Sequence, residues 1–227
     1  MKTSVINRLA SAVLAVALFF FILTFSIGLP IYIRPFYYAH IDAMELDQVS
    51  GFTKAEIREG YDQMLDYLTL PGKTFGTGVM AFSEEGAAHF ADCKFLFDLN
   101  GTVLLLSSVC LLALFFLRKQ LGPYRLGKRS AAFYAGIGAV GLPLVLGGLA
   151  ATDFDRAFVV FHQIFFPGKD NWIFDYRTDQ IIRVLPQDFF MHCAILIAAG
   201  VLILSASVLI WEFTRKKSPA DPALSTQ

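Results

Sequence analysis

The sequence predicts an all-α membrane protein in which four transmembrane helices lie beneath an extracellular, aromatic-rich cap formed by the two outer loops. Its composition is the first indication, because 56% of the 227 residues are hydrophobic and only 17% are charged. Soluble domains average about 45–50% apolar and about 25% charged residues. The second indication is a set of four long apolar runs, and the third is the placement of basic residues between them.

The four apolar runs are each about as long as a membrane-spanning helix, which needs about 20 residues. Their approximate limits are residues 9–33, 99–117, 131–151 and 189–211. The first run follows Lys2 and Arg8 and so resembles the start of a signal peptide. It is too long for the apolar region of such a peptide and lacks a small-residue cleavage site, so we expect a retained anchor.

Charge predicts the orientation of these spans. The N-terminal segment, the loop 118–130 and the tail 212–227 together hold ten basic residues and two acidic ones. The remaining nine basic and 17 acidic residues lie elsewhere in the chain. By the positive-inside rule both termini and the loop 118–130 are cytoplasmic, so segments 34–98 and 152–188 form the external cap. A net charge of zero also argues against a nucleic-acid partner.

The first outer segment contains two helix starts. Thr53 and Glu56 have the spacing of a capping box, in which each side chain satisfies a free backbone amide of the other. Apolar residues then recur at helical spacing up to Pro71-Gly72. They are Ile57, Tyr61, Met64, Leu65 and Leu68. Ser83 is a second N-cap candidate, followed by two acidic residues, and predicts a helix that runs on into the second span.

The second outer segment predicts one short aromatic helix. Asp153 is its N-cap candidate, and Pro167-Gly168 ends it. Four phenylalanines lie on one stripe between them: Phe154, Phe158, Phe161 and Phe165. The two outer segments hold 19 of the 33 aromatic residues. These form either an interfacial aromatic belt or a cap that holds lipid at the membrane surface.

All four histidines (His40, His89, His162 and His192) lie outside the membrane or at its outer boundary in this topology. Asp92 follows His89 by three residues, so on a helix it shares the same face and could orient the ring. The alternative is that each histidine is only a satisfied interfacial residue.

Two other kinds of site compete for these residues. His89 and Cys93 have helical ligand spacing for zinc, but His192 and Cys193 are adjacent and point about 100° apart, so we expect no metal. Alternatively, Cys93 could be a nucleophile activated by His162 or His89.

Two sequence signatures, one around His89 and one beginning at Phe161, are specific enough to compare with a known family. One is His89-Phe90-Ala91-Asp92-Cys93-Lys94, just before the second span. The other begins with Phe161-His162-Gln163-Ile164-Phe165-Phe166 and continues through Trp172-Ile173-Phe174-Asp175, Asp179, Ile181, Leu185-Pro186 and Phe189-Phe190. With the four spans, these motifs resemble the lipoprotein intramolecular transacylases, a family of bacterial integral membrane proteins. Cys93 departs from the resemblance, because valine is usual at that position.

The resemblance implies an enzyme without a cofactor, set in the bacterial plasma membrane with its active site on the extracellular face. Its substrate would be a diacylglyceryl-modified lipoprotein within membrane lipid. The acyl chain at the sn-2 position of the glyceryl group would move to the α-amino group of the lipoprotein's N-terminal cysteine, giving a lyso-form N-acyl lipoprotein. Carried over by motif, the catalytic histidines are His89 and His162.

We assign provisional roles to these residues. His162 acts as base on the amine, and His89, supported by Asp92, stabilises the oxyanion and protonates the leaving oxygen. Trp172 shapes the substrate pocket, and Asp175 tethers its loop. The aromatic residues that line the pocket are Phe158, Phe161 and Phe165.

Two rival functions remain at this point. The protein could be a non-catalytic membrane scaffold or lipoprotein-binding subunit, in which case function survives the loss of both rings. It could instead be a lipid acyltransferase or hydrolase that depends on Cys93, in which case Cys93→Ser abolishes activity. Charged residues occur only at the margins of the apolar runs, at Arg8 and Glu212, which disfavours a channel or pump.

Overall fold

The computed structural model describes residues 2–214, in which helices dominate. The segment 215–227, which includes most of the basic tail used for the orientation, lies outside the described residues. The helices are α1 (Lys2–Tyr32), α2 (Arg34–Ala43), α3 (Leu46–Ser50), α4 (Lys54–Thr69), α5 (Glu84–Leu121), α6 (Ala131–Thr152), α7 (Phe154–Phe165) and α8 (Gln187–Thr214). A 3₁₀ helix (Gln180–Arg183) precedes α8.

Among the described residues, three helices are long and apolar enough to cross a membrane: α1, α5 and α8. They coincide with the first, second and fourth predicted spans. The third predicted span falls on α6, where the described apolar part is Ala131–Gly141. The structure therefore supports three of the four predicted spans, and the span at residues 131–151 stays a prediction.

The long helices form a bundle in which α1 packs against α5, α6 and α8, and α6 packs against α8. Small residues allow the close approaches, as is common between membrane helices. A Cβ atom on Gly200 of α8 would lie 2.8 Å from Leu29 Cδ1 and 3.0 Å from Ser26 Oγ on α1. Asn100 of α5 donates a 3.3 Å hydrogen bond to the backbone oxygen of Thr24 on α1.

A short β-hairpin replaces part of the predicted loop between α5 and α6. Strands β1 (Arg125–Leu126) and β2 (Arg129–Ser130) pair antiparallel, with Arg125 opposite Ser130. The turn between them contains Gly127, whose φ of 66° is in the left-handed region that favours glycine. The fold is therefore helical apart from this one ribbon in the described residues.

The two outer segments share one hydrophobic core with the first turns of α8. Tyr37 of α2 is fully buried at its centre and stacks on Tyr61 of α4 with 3.7 Å between ring centroids. Its hydroxyl donates to the backbone oxygen of Val184, which follows the 3₁₀ helix. A buried tyrosine hydroxyl needs a hydrogen-bond partner, and the partner of Tyr37 lies in the other outer segment. This one side chain therefore joins both outer segments.

The local predictions for these segments are confirmed. Thr53 and Glu56 form a complete capping box at α4, and all five predicted apolar positions of that helix are buried. Ser83 caps α5 and Asp153 caps α7. Helix α5 runs without interruption for 38 residues, roughly 57 Å at 1.5 Å per residue. Because the hydrocarbon core is about 30 Å thick, its first turns, which carry His89, extend beyond the predicted span 99–117.

Candidate active site

The site lies where the first turns of α5 meet the end of α7. His89 of α5 and His162 of α7 are 6% and 7% exposed, and their rings stack with centroids 5.8 Å apart at 30°. They are 73 positions apart in the sequence. His162 is the one fully buried residue of α7. An amphipathic helix normally buries apolar residues, so burial of a histidine here indicates a specific requirement for that ring.

Aromatic side chains surround the two rings. Trp172 stacks on His162 with centroids 4.5 Å apart, and Phe158 lies 4.3 Å from the same ring. Phe166 and Phe174 meet His89 edge-on at 4.9 and 5.4 Å. The prediction had placed Trp172 and Phe158 near the histidines, and the structure brings both into contact with His162. The contacts of Phe166 and Phe174 with His89 were not predicted, although both residues belong to the second signature.

The remaining predicted pocket residues lie further out. Phe161 touches the edge of His162 but is 47% exposed, and Phe165 packs on Phe161 and is equally exposed. A stripe at i, i+4, i+7 and i+11 covers a wide face of the helix, so only part of it can face the histidines. Phe158 is therefore the stripe residue that lies deepest in the site, and it also contacts Phe190 of α8.

Hydrogen bonding fixes the tautomer of His162. Its Nδ1 lies 2.7 Å from the backbone oxygen of Phe158, four residues earlier on α7. A carbonyl oxygen only accepts, so Nδ1 carries the hydrogen and Nε2 carries the lone pair in the neutral ring. Burial lowers the pKa of His162, and the Phe158 carbonyl partly opposes that shift. Burial thus favours the neutral form of His162, and in that form Nε2 is the atom that can accept a proton.

The environment of His89 differs. Its Nε2 lies 3.4 Å from Cys93 Sγ, one helical turn further along α5. Its Nδ1 is sealed from solvent and has no hydrogen-bond partner among the described residues. Burial, and then the neighbouring His162, lower the pKa of His89, while Asp92 and Asn171 act in the opposite direction. A buried ring nitrogen without a partner is costly, so this position is unusual for a residue that only packs in a core.

Asp92 does not hydrogen-bond to the ring of His89, so it does not orient the ring directly, but its charge favours the protonated ring and acts to raise the pKa of His89. Its Oδ1 accepts from Lys169 Nζ at 2.5 Å, and its Oδ2 accepts from Asn171 Nδ2 at 3.1 Å. Both donors belong to the loop that follows α7. Residues three apart on a helix share a face, but a carboxylate partly exposed to solvent pairs preferentially with a nearby cation. Asp92 therefore holds this loop against α5 and reaches His89 only through its charge.

The turn around Asp175 is formed by local contacts. Asp175 accepts hydrogen bonds from the backbone and guanidinium of Arg177, two residues later, and Arg177 lowers its pKa to about 2. The long-range connection comes from Asp179, which is 4% exposed and accepts from both the N–H and the hydroxyl of Ser83. Asp179 belongs to the second signature, but its spacing from Ser83 in the sequence predicts no contact between them.

Other polar groups lie apart from this pair of rings. His40 and His192 form a second pair, with His40 Nε2 3.0 Å from His192 Nδ1. A groove of about 620 Å³ runs between α2 and α4 and is lined largely by charged side chains such as Arg58 and Asp62. In the part of the chain that the structure describes, no group of three or more His, Cys, Asp or Glu side chains is arranged to hold a metal ion.

Comparison with known proteins identifies a family with matching sequence and structure. Residues 12–190 match the family model described as lipoprotein intramolecular transacylase Lit. A curated protein from Aquifex aeolicus (strain VF5), described as uncharacterized, is 29% identical over 146 residues. The aligned region is 62% of this chain and 62% of that relative, so the chain spans less than two thirds of the relative's length.

Solved structures agree with the family match. The in meso structure of the membrane-integral lipoprotein intramolecular transacylase Lit from Bacillus cereus is 26% identical, with a TM-score of 0.82 over 91% of this chain and 94% of that one. A variant of that protein with one histidine replaced by arginine is 25% identical, with a TM-score of 0.77 over 92% of each chain. A further variant has alanine at the substituted histidine, with a TM-score of 0.76.

Three long apolar helices and a fold shared with membrane-integral relatives define this chain as a multi-pass membrane protein. It belongs to the lipoprotein intramolecular transacylase family, Lit, whose members are transferases.

Proposed function

We propose that this protein transfers the sn-2 acyl chain of a diacylglyceryl lipoprotein to the α-amino group of the same molecule's N-terminal cysteine, using His89 and His162. The observation that carries the proposal is the stacking of these two rings, 5.8 Å apart, in an aromatic enclosure. Two imidazoles from remote parts of the chain suit a reaction that must remove one proton and supply another.

The substrate brings its own nucleophile. The α-amine attacks the sn-2 ester carbonyl, a C–N bond forms, and the C–O bond to the glyceryl group breaks. The ammonium form of the amine first gives one proton to His89, and the attacking amine then gives a second proton to His162. The departing glyceryl oxygen takes the proton from His89, and His162 releases its proton at the end of the cycle. Holding amine and ester together can contribute about 7–11 kcal/mol to lowering the barrier, so no enzyme nucleophile is needed.

We assign the base to His162, because the Phe158 carbonyl leaves its Nε2 with the lone pair. His89 then stabilises the tetrahedral oxyanion and protonates the leaving oxygen. Its lowered pKa makes the protonated ring a stronger acid than an ordinary imidazolium, which favours donation to an alkoxide.

The aromatic residues around the rings serve to exclude water. Trp172 and Phe158 pack against the ring of His162, while Phe161 and Phe165 extend an apolar surface away from it. In this proposal they seat the acyl chain and suppress ester hydrolysis. Asp175 orders the turn that follows Trp172.

The proposed setting is the bacterial plasma membrane. With four spans both termini lie on the same side of the membrane, and we assign that side to the cytoplasm. The outer segments then form an extracellular cap over the site, where lipoproteins in the outer leaflet can reach it. The positive charge of the α5–α6 connection supports this orientation.

A Cys93 nucleophile is less consistent with the site. Burial raises the pKa of the Cys93 thiol to about 12, so the reactive thiolate is scarce at neutral pH. Its 3.4 Å contact with His89 Nε2 follows directly from the i, i+4 spacing on α5 and needs no catalytic explanation. We interpret Cys93 as a small packing residue, in keeping with the valine that the family resemblance predicts there.

The test is expression in a bacterium whose lipoproteins stop at the diacylglyceryl stage. Tandem mass spectrometry of an N-terminal lipopeptide then asks whether one acyl group fragments with the α-amine. We expect N-acylation with the wild type and with Cys93→Val, and none with His89→Ala or His162→Ala at equal membrane abundance. Wild-type activity in either histidine variant, or its loss in Cys93→Val alone, would contradict the proposal.

A further inference from the structure

Two buried polar atoms beside the histidine pair lack hydrogen-bond partners within residues 2–214. They are Nδ1 of His89 and Oδ1 of Asn171. An amide oxygen can only accept, and an imidazole Nδ1 donates in one of its two neutral tautomers. The two atoms are therefore chemically complementary, and pairing them would satisfy both.

The orientation of the Asn171 amide is set from its other end. Its Nδ2 donates to Asp92 Oδ2 at 3.1 Å, and Lys169 occupies the second oxygen of that carboxylate. A carboxylate only accepts, so the amide nitrogen must face Asp92 and the amide oxygen must face away from it. Asn171 follows the turn at Pro167-Gly168 and so belongs to the loop that closes over α5.

We propose that Asn171 is a positioning residue of the transacylase site, accepting a hydrogen bond from Nδ1–H of His89 and thereby fixing the tautomer of that ring. Nε2 is then the atom of His89 that exchanges a proton with the substrate. This inference rests on the proposed catalytic role of His89. Asp92 acts through Asn171, as the anchor of its amide.

In this arrangement the neutral forms of both histidines carry their proton on Nδ1. The Phe158 carbonyl holds the proton on Nδ1 of His162, and the Asn171 carbonyl does so for His89. Each ring therefore offers Nε2 for the reaction. The charged and titratable groups that face His89 are His162 from α7, Asp92 and Cys93 from α5, and Lys169 from the loop. Asn171 favours the protonated ring against the burial that disfavours it.

The test reads the tautomer directly. The full-length protein is labelled with ¹⁵N-histidine in detergent, and the His89 signals are assigned by their loss in His89→Gln. We expect the wild type to carry its neutral proton on Nδ1, and Asn171→Leu to move it to Nε2. Gln163→Leu, which removes an exposed amide from α7, is the matched control and leaves the spectrum of His89 unchanged.

Two further variants keep the test informative if Asn171→Leu does not fold. Asn171→Asp retains an acceptor, so the proton stays on Nδ1 although the bond to Asp92 is lost. Combining Asn171→Asp with Asp92→Asn restores that bond with donor and acceptor exchanged. In assays on a synthetic diacylglyceryl lipopeptide, Asn171→Leu lowers kcat by about 10- to 100-fold with little change in KM, and the double variant recovers part of the loss.

The outcomes separate the two proposals. A wild-type His89 protonated on Nε2, or a tautomer that Asn171→Leu leaves unchanged, overturns the role of Asn171 whatever the activity. The expected tautomers together with no N-acylation by the wild type overturn the proposed function and leave the hydrogen bond established.

Discussion

The two central histidines are buried among aromatic rings, and burial penalises the charged form of an imidazole. Their pKa values are lowered for that reason, further so at His89 because His162 lies beside it. The unfolded chain has no such environment and protonates its histidines near pH 6.5. Just below pH 6.5, the two histidines therefore bind fewer protons in the native state than in the unfolded state.

A pH dependence of stability follows from this difference. As the pH falls below about 6.5, the unfolded state gains protons that the native state does not, so the free energy of unfolding decreases. The loss continues down to the lowered pKa of each native ring. We expect thermal unfolding in detergent to show a larger drop in Tm between pH 7.5 and pH 5 for the wild type than for His89→Phe or His162→Phe. An equal drop in all three proteins would contradict the lowered pKa values.

The positions of single residues could be predicted only in part. His89 and His162 were identified from motifs, and the structure brings them together. The partner of Asp92 could not be predicted, because helical spacing shows which side chains share a face but not which loop returns to them. Lys169 and Asn171 come from 77 and 79 positions away and carry no local signal of this contact.

Individual elements followed their local sequence closely. The capping box at α4, the serine cap of α5 and the aspartate cap of α7 were all readable, because a cap is decided by residues within one turn. The small hairpin between α5 and α6 was missed, since its strands are two residues long and have no alternation to detect.

The link between the two outer segments also required the structure. The Ser83 hydroxyl donates to Asp179 and accepts from the N–H of Gly86, so one group serves both the helix cap and the contact between segments. Gly86 is needed for this approach. A Cβ atom there would overlap Oδ1 of Asp179 and lie 2.9 Å from its Cγ.

We therefore expect Gly86→Ala to displace Asp179 and loosen the loop that carries Trp172. The predicted cost is about 1–3 kcal/mol of stability, with reduced activity, as measured by chemical or thermal unfolding. Gly101→Ala on the same helix is the control, because its Cβ would meet only the Tyr32 hydroxyl at an ordinary 3.7 Å. That control should be neutral or slightly stabilising, by up to about 1 kcal/mol. Equal effects of the two substitutions would argue against the Gly86–Asp179 contact.

The molecule as a whole is organised by its charge asymmetry and its long apolar helices. Three spans are supported by helices of the required length and composition. A spanning segment is helical because the hydrocarbon core offers no water to hydrogen-bond its backbone groups. The proposed orientation rests on the distribution of basic residues.

Labelling of single cysteines tests that orientation. In a protein whose Cys93, Cys110 and Cys193 are replaced, a cysteine is introduced by Glu59→Cys in the outer segment or by Lys128→Cys in the hairpin; both positions are exposed. We expect a membrane-impermeant maleimide to label the first in intact cells and the second only after permeabilisation. The opposite pattern would invert the topology and place the histidine pair on the cytoplasmic side.

The most direct test of the central claim uses the purified protein and a synthetic diacylglyceryl lipopeptide with a deuterated acyl chain at sn-2 only. Fragmentation of the product locates the deuterium, which intact mass cannot do because substrate and product are isomers. If the proposed transfer is correct, the label moves to the α-amine with the wild type, and it stays on the glyceryl group with His162→Ala or with a lipopeptide whose amine is acetylated. Release of the labelled chain as free fatty acid, or transfer of the unlabelled chain instead, would contradict it.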